Sequence, residues 1–193
     1  MMIAERVNAV LLKPATEWQR IEQERDDLTY VLNVYIAILA AIPAVAGFIG
    51  FSAVGVALAD GTILRVPVLL GLLGALFGYV MSFVTVYVLA FAANLLAPRF
   101  GGQRNFPAAL KLIVYSYTPV WITGVFLLLP GLRFLAVLAI YGIYPLYEGL
   151  PRLMRVPQER ALAYTAMIVV CALVVRALIG WIEATFFSLP QVI

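Results

Sequence analysis

Two stretches of this chain, residues 30–59 and 66–98, contain no charged side chain. A helix crosses the hydrocarbon of a bilayer with about 20 apolar residues. Each stretch is long enough alone, and a soluble core could not hide both. The whole chain follows suit, with 64% hydrophobic and 12% charged residues among 193. A soluble domain is about half apolar and about a quarter charged. The expected fold class is an all-α membrane protein, a five-transmembrane-helix bundle with an N-terminal amphipathic segment.

The expected organisation is a cytoplasmic interfacial segment over residues 1–29 and a five-span membrane domain over 30–193. The spans are expected near 30–58, 67–97, 107–129, 134–150 and 161–187. In the first segment Ile3, Val7, Val10 and Leu11 have helical spacing, with Glu5, Arg6 and Lys13 elsewhere. That pattern suits a short helix lying on a membrane surface. Pro14 ends it, Thr16 is a candidate cap for the next helix, and Trp18 suits the headgroup zone. No cleavable signal is expected here, because the apolar stretch is short and acidic residues flank it. The first span would then serve as an uncleaved targeting signal.

Within the spans, Pro43 and Pro119 are expected helix breaks, since proline lacks a donor and clashes with the preceding turn. Around Pro119, in "YSYTP", the hydroxyls of Tyr115, Ser116, Tyr117 and Thr118 could satisfy freed carbonyls or bond across helices. Gly74 and Gly78 share one helix face, with Gly71 nearby, and suit close helix packing. "ADGTILRVP" and "LPGLR" read as tight turns.

The basic residues fix an orientation. Arg6, Lys13, Arg20, Arg25, Arg99, Arg104, Lys111, Arg152, Arg155 and Arg160 fall on one side of a five-span chain, and only Arg65 and Arg133 on the other. Positive residues favour the cytoplasm, so the N-terminus is expected inside and the C-terminus outside. A re-entrant fourth segment is the alternative. Arg152, Arg155 and Arg160 are candidate contacts for anionic headgroups, and docking of a cytoplasmic protein is the competing use of that connector.

Three ionisable residues stand in or beside spans: Glu148, Arg176 and Glu183. Such residues default to a functional hypothesis. Glu148 could pair locally with Arg152 at i+4, pair across helices, or line a wet cavity with Arg176 and Glu183. Arg176 could instead snorkel outward to Glu183. Asn94 could bond between helices or cap its span. Tyr115 and Tyr117 complete this candidate polar site.

The segments "KPATEWQRI", "YSYTP", "LPGLR" and "YEGLPRLMRVPQERALAYT" resemble the Yip family, the Ypt/Rab-interacting membrane proteins, in its bacterial form. The resemblance implies a five-span integral protein of the inner membrane with a cytosolic N-terminus. Eukaryotic members bind prenylated small GTPases and act in vesicle traffic, but the N-terminal tail here is short.

The chain has no histidine and one cysteine, Cys171. Histidine-based catalysis and metal sites are thereby excluded, and no internal disulfide is possible. No phosphate loop or nucleophile–base pair is present, so no enzyme activity, cofactor or metal is expected. The expected partners are the lipid bilayer, anionic headgroups and other membrane proteins or a second copy of the chain. Nucleic acid is excluded, because the basic residues are thinly spread. The leading reading is a non-enzymatic interaction or membrane-organising module. The alternative is a small transporter, channel or lipid scramblase working through Glu148, Arg176 and the broken third span.

Overall fold

The computed structural model describes residues 3–24, 28–58 and 61–186. Two short helices, α1 (Ile3–Leu12) and α2 (Pro14–Gln23), precede the first long one, α3 (Leu28–Phe48). Among the described residues the fold is all-α apart from one small hairpin. Five helical segments among those residues are long and apolar enough to cross a membrane: Leu32–Val54, Val68–Phe100, Phe106–Leu128, Pro130–Leu153 and Gln158–Thr185.

α2 starts at Pro14, whose fixed φ and missing N–H suit the first helical position. Its cap is Lys13, with no side-chain bond. Thr16 lies inside the helix and does not cap it. α3 runs through Pro43 without ending there, so Pro43 is not a helix break. The space beside it is made by Gly124, where a Cβ would stand 2.5 Å from the Pro43 ring. A π-helical stretch, Ile49–Val54, continues α3.

The hairpin of β1 (Val56–Ala57) and β2 (Ile63–Leu64) pairs Val56 with Leu64 and Ala57 with Ile63. The first span therefore stops short of residue 58. Next come α4 (Val68–Leu96) and a 3-10 turn, Ala97–Phe100.

The third span is two helices. α5 (Phe106–Ser116) and α6 (Thr118–Thr123) meet at Tyr117, and a 3-10 stretch, Gly124–Leu128, follows. The Thr123 hydroxyl donates to the Pro119 carbonyl one turn back in α6 at 2.8 Å.

The fourth span starts four residues earlier than the sequence suggested. Its first thirteen residues, Pro130–Gly142, form a 3-10 helix, and α7 (Ile143–Leu153) completes it. A 3-10 helix rises about 2.0 Å per residue, so this part covers about 26 Å, and α7 adds about 16 Å. The segment is long enough to cross a bilayer. α8 (Gln158–Phe186) is the last span.

Packing is uneven along the bundle. Buried side chains concentrate at one end: the start of α3 (Leu32, Tyr35, Ile36), the end of α4 (Leu89, Ala90, Ala93), nearly all of α5, the end of α7 (Leu150, Leu153) and the start of α8 (Tyr164, Ile168). The other end exposes Leu69, Leu73, Leu76, Phe134, Val137, Leu173 and Trp181. Such a surface is stable only against hydrocarbon.

Candidate functional site

α1 and α2 do not lie free on a surface. They pack along the bundle against α6 and α7. The Tyr141 hydroxyl donates to the Leu11 carbonyl at 2.6 Å. Tyr141 precedes the end of α7 by roughly 18 Å of helix, so the pair runs beside the bundle. Most of its outward side chains, among them Asn8, Thr16, Gln19, Arg20 and Gln23, are polar, with Ala4 and Leu12 the apolar exceptions, as suits a face meeting water and headgroups.

The inward face carries Trp18 and a cluster of charge. Trp18 is 1% exposed. Its indole N–H donates to the Pro145 carbonyl at 2.9 Å. Gly149 makes the room: a Cβ there would stand 2.8 Å from the Trp18 ring. The expected headgroup position of Trp18 is thus corrected. A proline-and-glycine face on α7 leaves an indole-sized slot, and burial of the ring outweighs its preference for an interface.

Arg6 is also buried, on the face of Val10 and not opposite it. Its guanidinium donates to Glu17, itself buried, and to Glu24. It also lies 5.3 Å over the Tyr115 ring. Burial opposes the arginine charge, but the Glu24 hydrogen bond and the surrounding carboxylates outweigh it. The net result is a pKa raised above its ordinary value.

Tyr115 stands edge-on to Trp18 at 6.3 Å and to Tyr35 at 5.1 Å. Tyr35 shares a hydrogen bond of 2.8 Å with Thr118, just past the helix break. Lys111 comes from α5, not from the loop before it. Its ammonium donates to the carbonyls of Ile21 and Glu24 at 3.3 and 3.0 Å. A cation there meets the negative end of the α2 dipole and fills its open carbonyls.

The end of this cluster opens into a cleft of about 460 Å³ between α2, the start of α5 and the end of α7. Glu22, Glu24, Lys111, Arg152 and Arg155 line it. Arg155 pairs with Glu22 at 2.7 Å. It has a positive φ of 55°, which is rare for a residue with a side chain. The Gln103 N–H donates to the Met154 carbonyl at 2.9 Å, holding the two basic loops together.

The sequence-derived polar residues do not form one site. Arg176 bonds Glu183 at 3.1 Å on an exposed face of α8. Glu148 is half-buried and, among the described residues, has no ion pair with Arg152 or Arg176 and no hydrogen bond. The Asn94 side-chain oxygen is buried without a hydrogen-bond partner among the described residues, so it neither caps its span nor bridges helices. Tyr117 packs edge-on to Trp121 at 5.4 Å. Around Gly74 and Gly78 an added Cβ would meet nothing within 4 Å, while at Gly71 it would meet Ser52.

Arg6, Glu17, Glu24 and Lys111 were missed as site residues. One signal was available. Arg6 lies three residues after Ile3 and four before Val10, within the apolar stripe.

With five spans and this N-terminal pair in view, the comparison with known proteins decides the family. The Yip1 domain matches residues 8–179. The chain belongs to the Yip1 domain family. The match takes in Glu17, Trp18, Lys111 and Arg152, the first four spans and most of the fifth, while Arg6 precedes it. The chain is similar to the Inner membrane protein YohC of Escherichia coli strain K12, at 26% identity over 157 residues, covering 79% of this chain and 80% of the relative. The YohC protein of Escherichia coli O6:H1 strain CFT073 matches equally. No solved structure matches the chain significantly.

Proposed function

We propose that this Yip1-family protein is a non-enzymatic interaction or membrane-organising module of a bacterial inner membrane. Its N-terminus and its charged cleft face the cytoplasm, and its C-terminus lies outside. The observation that carries this reading is the α1–α2 pair. A buried arginine with two carboxylates, and a lysine on the helix end, hold that pair on the bundle. A fixed polar surface is what a partner needs, because little ordering entropy is lost on docking. The distribution of basic residues supports the orientation, and the inner-membrane naming of the YohC relatives supports the membrane.

Transport through Glu148 and Arg176 has less behind it. The 460 Å³ cleft, and a second of about 470 Å³ beside the hairpin, are lined by neither residue.

The test is site-specific photo-crosslinking in living cells. Probes at Arg20 and Gln23, both exposed on α2, should each give the same discrete protein adduct. A probe at Leu76, exposed on α4, should give lipid adducts only. No protein adduct from α2, together with a solute leak in proteoliposomes that Glu148→Gln abolishes, would replace the module with a transporter. Orientation is read separately on a Cys171→Ala background. Arg20→Cys should label with an impermeant reagent only after permeabilisation, and Arg133→Cys without it. The reverse pattern would invert the topology.

A further inference from the structure

We propose that the cleft between α2, α5 and α7 is a built site for the phosphate of an anionic lipid headgroup, held by Lys111 and Arg152. Its leaflet rests on the orientation proposed above. The chemistry does not.

The charges in the cleft do not cancel. Glu22 is taken by Arg155, and Glu24 shares Arg6 with Glu17. Lys111 is met by carbonyls alone, and among the described residues Arg152 has no ion pair. Arg6, Lys111, Arg152 and Arg155 against Glu17, Glu22 and Glu24 leave one positive charge over, and among the described residues neither Lys111 nor Arg152 holds a carboxylate in an ion pair. Arg152 offers a planar fork that matches two phosphate oxygens, and Lys111 a third donor as a point charge. Asn105 caps the first turn of α5 at the cleft wall, accepting from the Ala108 N–H at 3.1 Å. The positive end of that helix adds to the same field. The volume of about 460 Å³ is that of a small-molecule site. The left-handed backbone at Arg155 is the kind of local strain that persists where surroundings enforce it.

The surroundings favour a lipid over a free anion. Leu162 is 70% exposed. It stands only four residues into α8, so an apolar surface open to an acyl chain begins roughly 6 Å from that helix start. The loop that bears Arg155 leads directly into that helix. An acyl chain lying along α8 would bring its phosphate to the level of the cleft.

The full chain is reconstituted in vesicles of equal parts phosphatidylcholine and phosphatidylglycerol and extracted in mild detergent. The retained lipid is then identified by native mass spectrometry. Wild type should keep one phosphatidylglycerol in preference to phosphatidylcholine. Arg152→Gln should weaken retention roughly tenfold or more, the worth of a charged hydrogen bond. Arg99→Gln, exposed and outside the cleft lining, should change it less than about twofold. Glu22→Gln should strengthen it, by freeing Arg155, and a gain cannot come from misfolding.

Equal losses in Arg152→Gln and Arg99→Gln would overturn the site in favour of diffuse attraction, and weaker retention in Glu22→Gln would overturn the role of the cleft's charge in holding the lipid. Inorganic phosphate that displaces the lipid, and binds delipidated protein as tightly, would overturn the lipid source. Lipid retention is read on isolated protein. Its failure is therefore distinct from a failure of the crosslinking that tests the interaction module.

Discussion

Replacing Arg6 with alanine should release α1 and α2 from the bundle while leaving the five spans folded. The Arg6 side chain is 9% exposed and that of Glu17 is 7%. Without Arg6 the Glu17 carboxylate stays buried with no counter-charge, which costs about 3–5 kcal/mol. Glu24, more exposed, can turn to water and adds at most about 1 kcal/mol. A loss near 4 kcal/mol raises the open population of the pair by roughly a thousandfold.

Hydrogen exchange on peptides from residues 3–24, in detergent, reads this opening directly. Arg6→Ala should accelerate exchange there by two to three orders of magnitude, with peptides from α4 and α8 unchanged. The decisive comparison is Arg6→Ala with Glu17→Ala. Removing the orphaned carboxylate should recover part of the protection, so the double variant should exchange more slowly than Arg6→Ala alone. Exchange within about threefold of wild type, or a double variant faster than the single one, would refute the buried-charge account.

Four further outcomes follow from the same geometry. Gly149→Ala should destabilise by about 1–3 kcal/mol through overpacking, because its Cβ would stand 2.5 Å from Leu112 and 2.8 Å from Trp18; thermal unfolding measures it. Trp18→Phe should cost about 1 kcal/mol for the lost bond to Pro145, and Trp18→Ala about 3–5 kcal/mol, both visible as faster exchange in α2. Gly74→Leu should leave the monomer's melting temperature unchanged, since that position faces open space; a change in oligomeric state on native electrophoresis would instead mark the glycine face as an interface between copies. Alkaline titration should not undock α1: the Arg6 pKa is raised on folding, so its contribution is complete below the unfolded arginine value and fades only as pH climbs through the higher folded one. Exchange of α1 should accordingly show no loss of protection from Arg6 deprotonation up to about pH 10.

The spans were legible because hydropathy is a local property. Residues 30–59 and 66–98 each had to find a low-dielectric surround whatever their neighbours did. The interruption at Tyr117 has the same origin, since Pro119 denies a donor to a carbonyl only a turn away. Pro43 shows the limit of that reasoning. The same residue type sits in a continuous helix there, because Gly124 on another element leaves its ring the space it needs. The 3-10 form of Pro130–Gly142 was equally invisible, since no residue pattern distinguishes it from an apolar α-helix.

The charged residues divide the same way. Glu148, Arg176 and Glu183 drew attention because they interrupt apolar sequence. Arg6 and Glu17 lay in a polar segment and looked solvated. The contacts that bury Arg6 and Trp18 join residues 11, 18 and 127 positions apart in the chain. By itself the sequence determined which segments need lipid, how many there are and where one is broken, because each follows from the solvation of neighbouring residues. Only the tertiary structure decided that α1 and α2 fold against the bundle and close a cleft of uncancelled charge. A buried ion pair depends on which distant groups the packing brings within reach, and spacing along one strand of sequence carries no record of that.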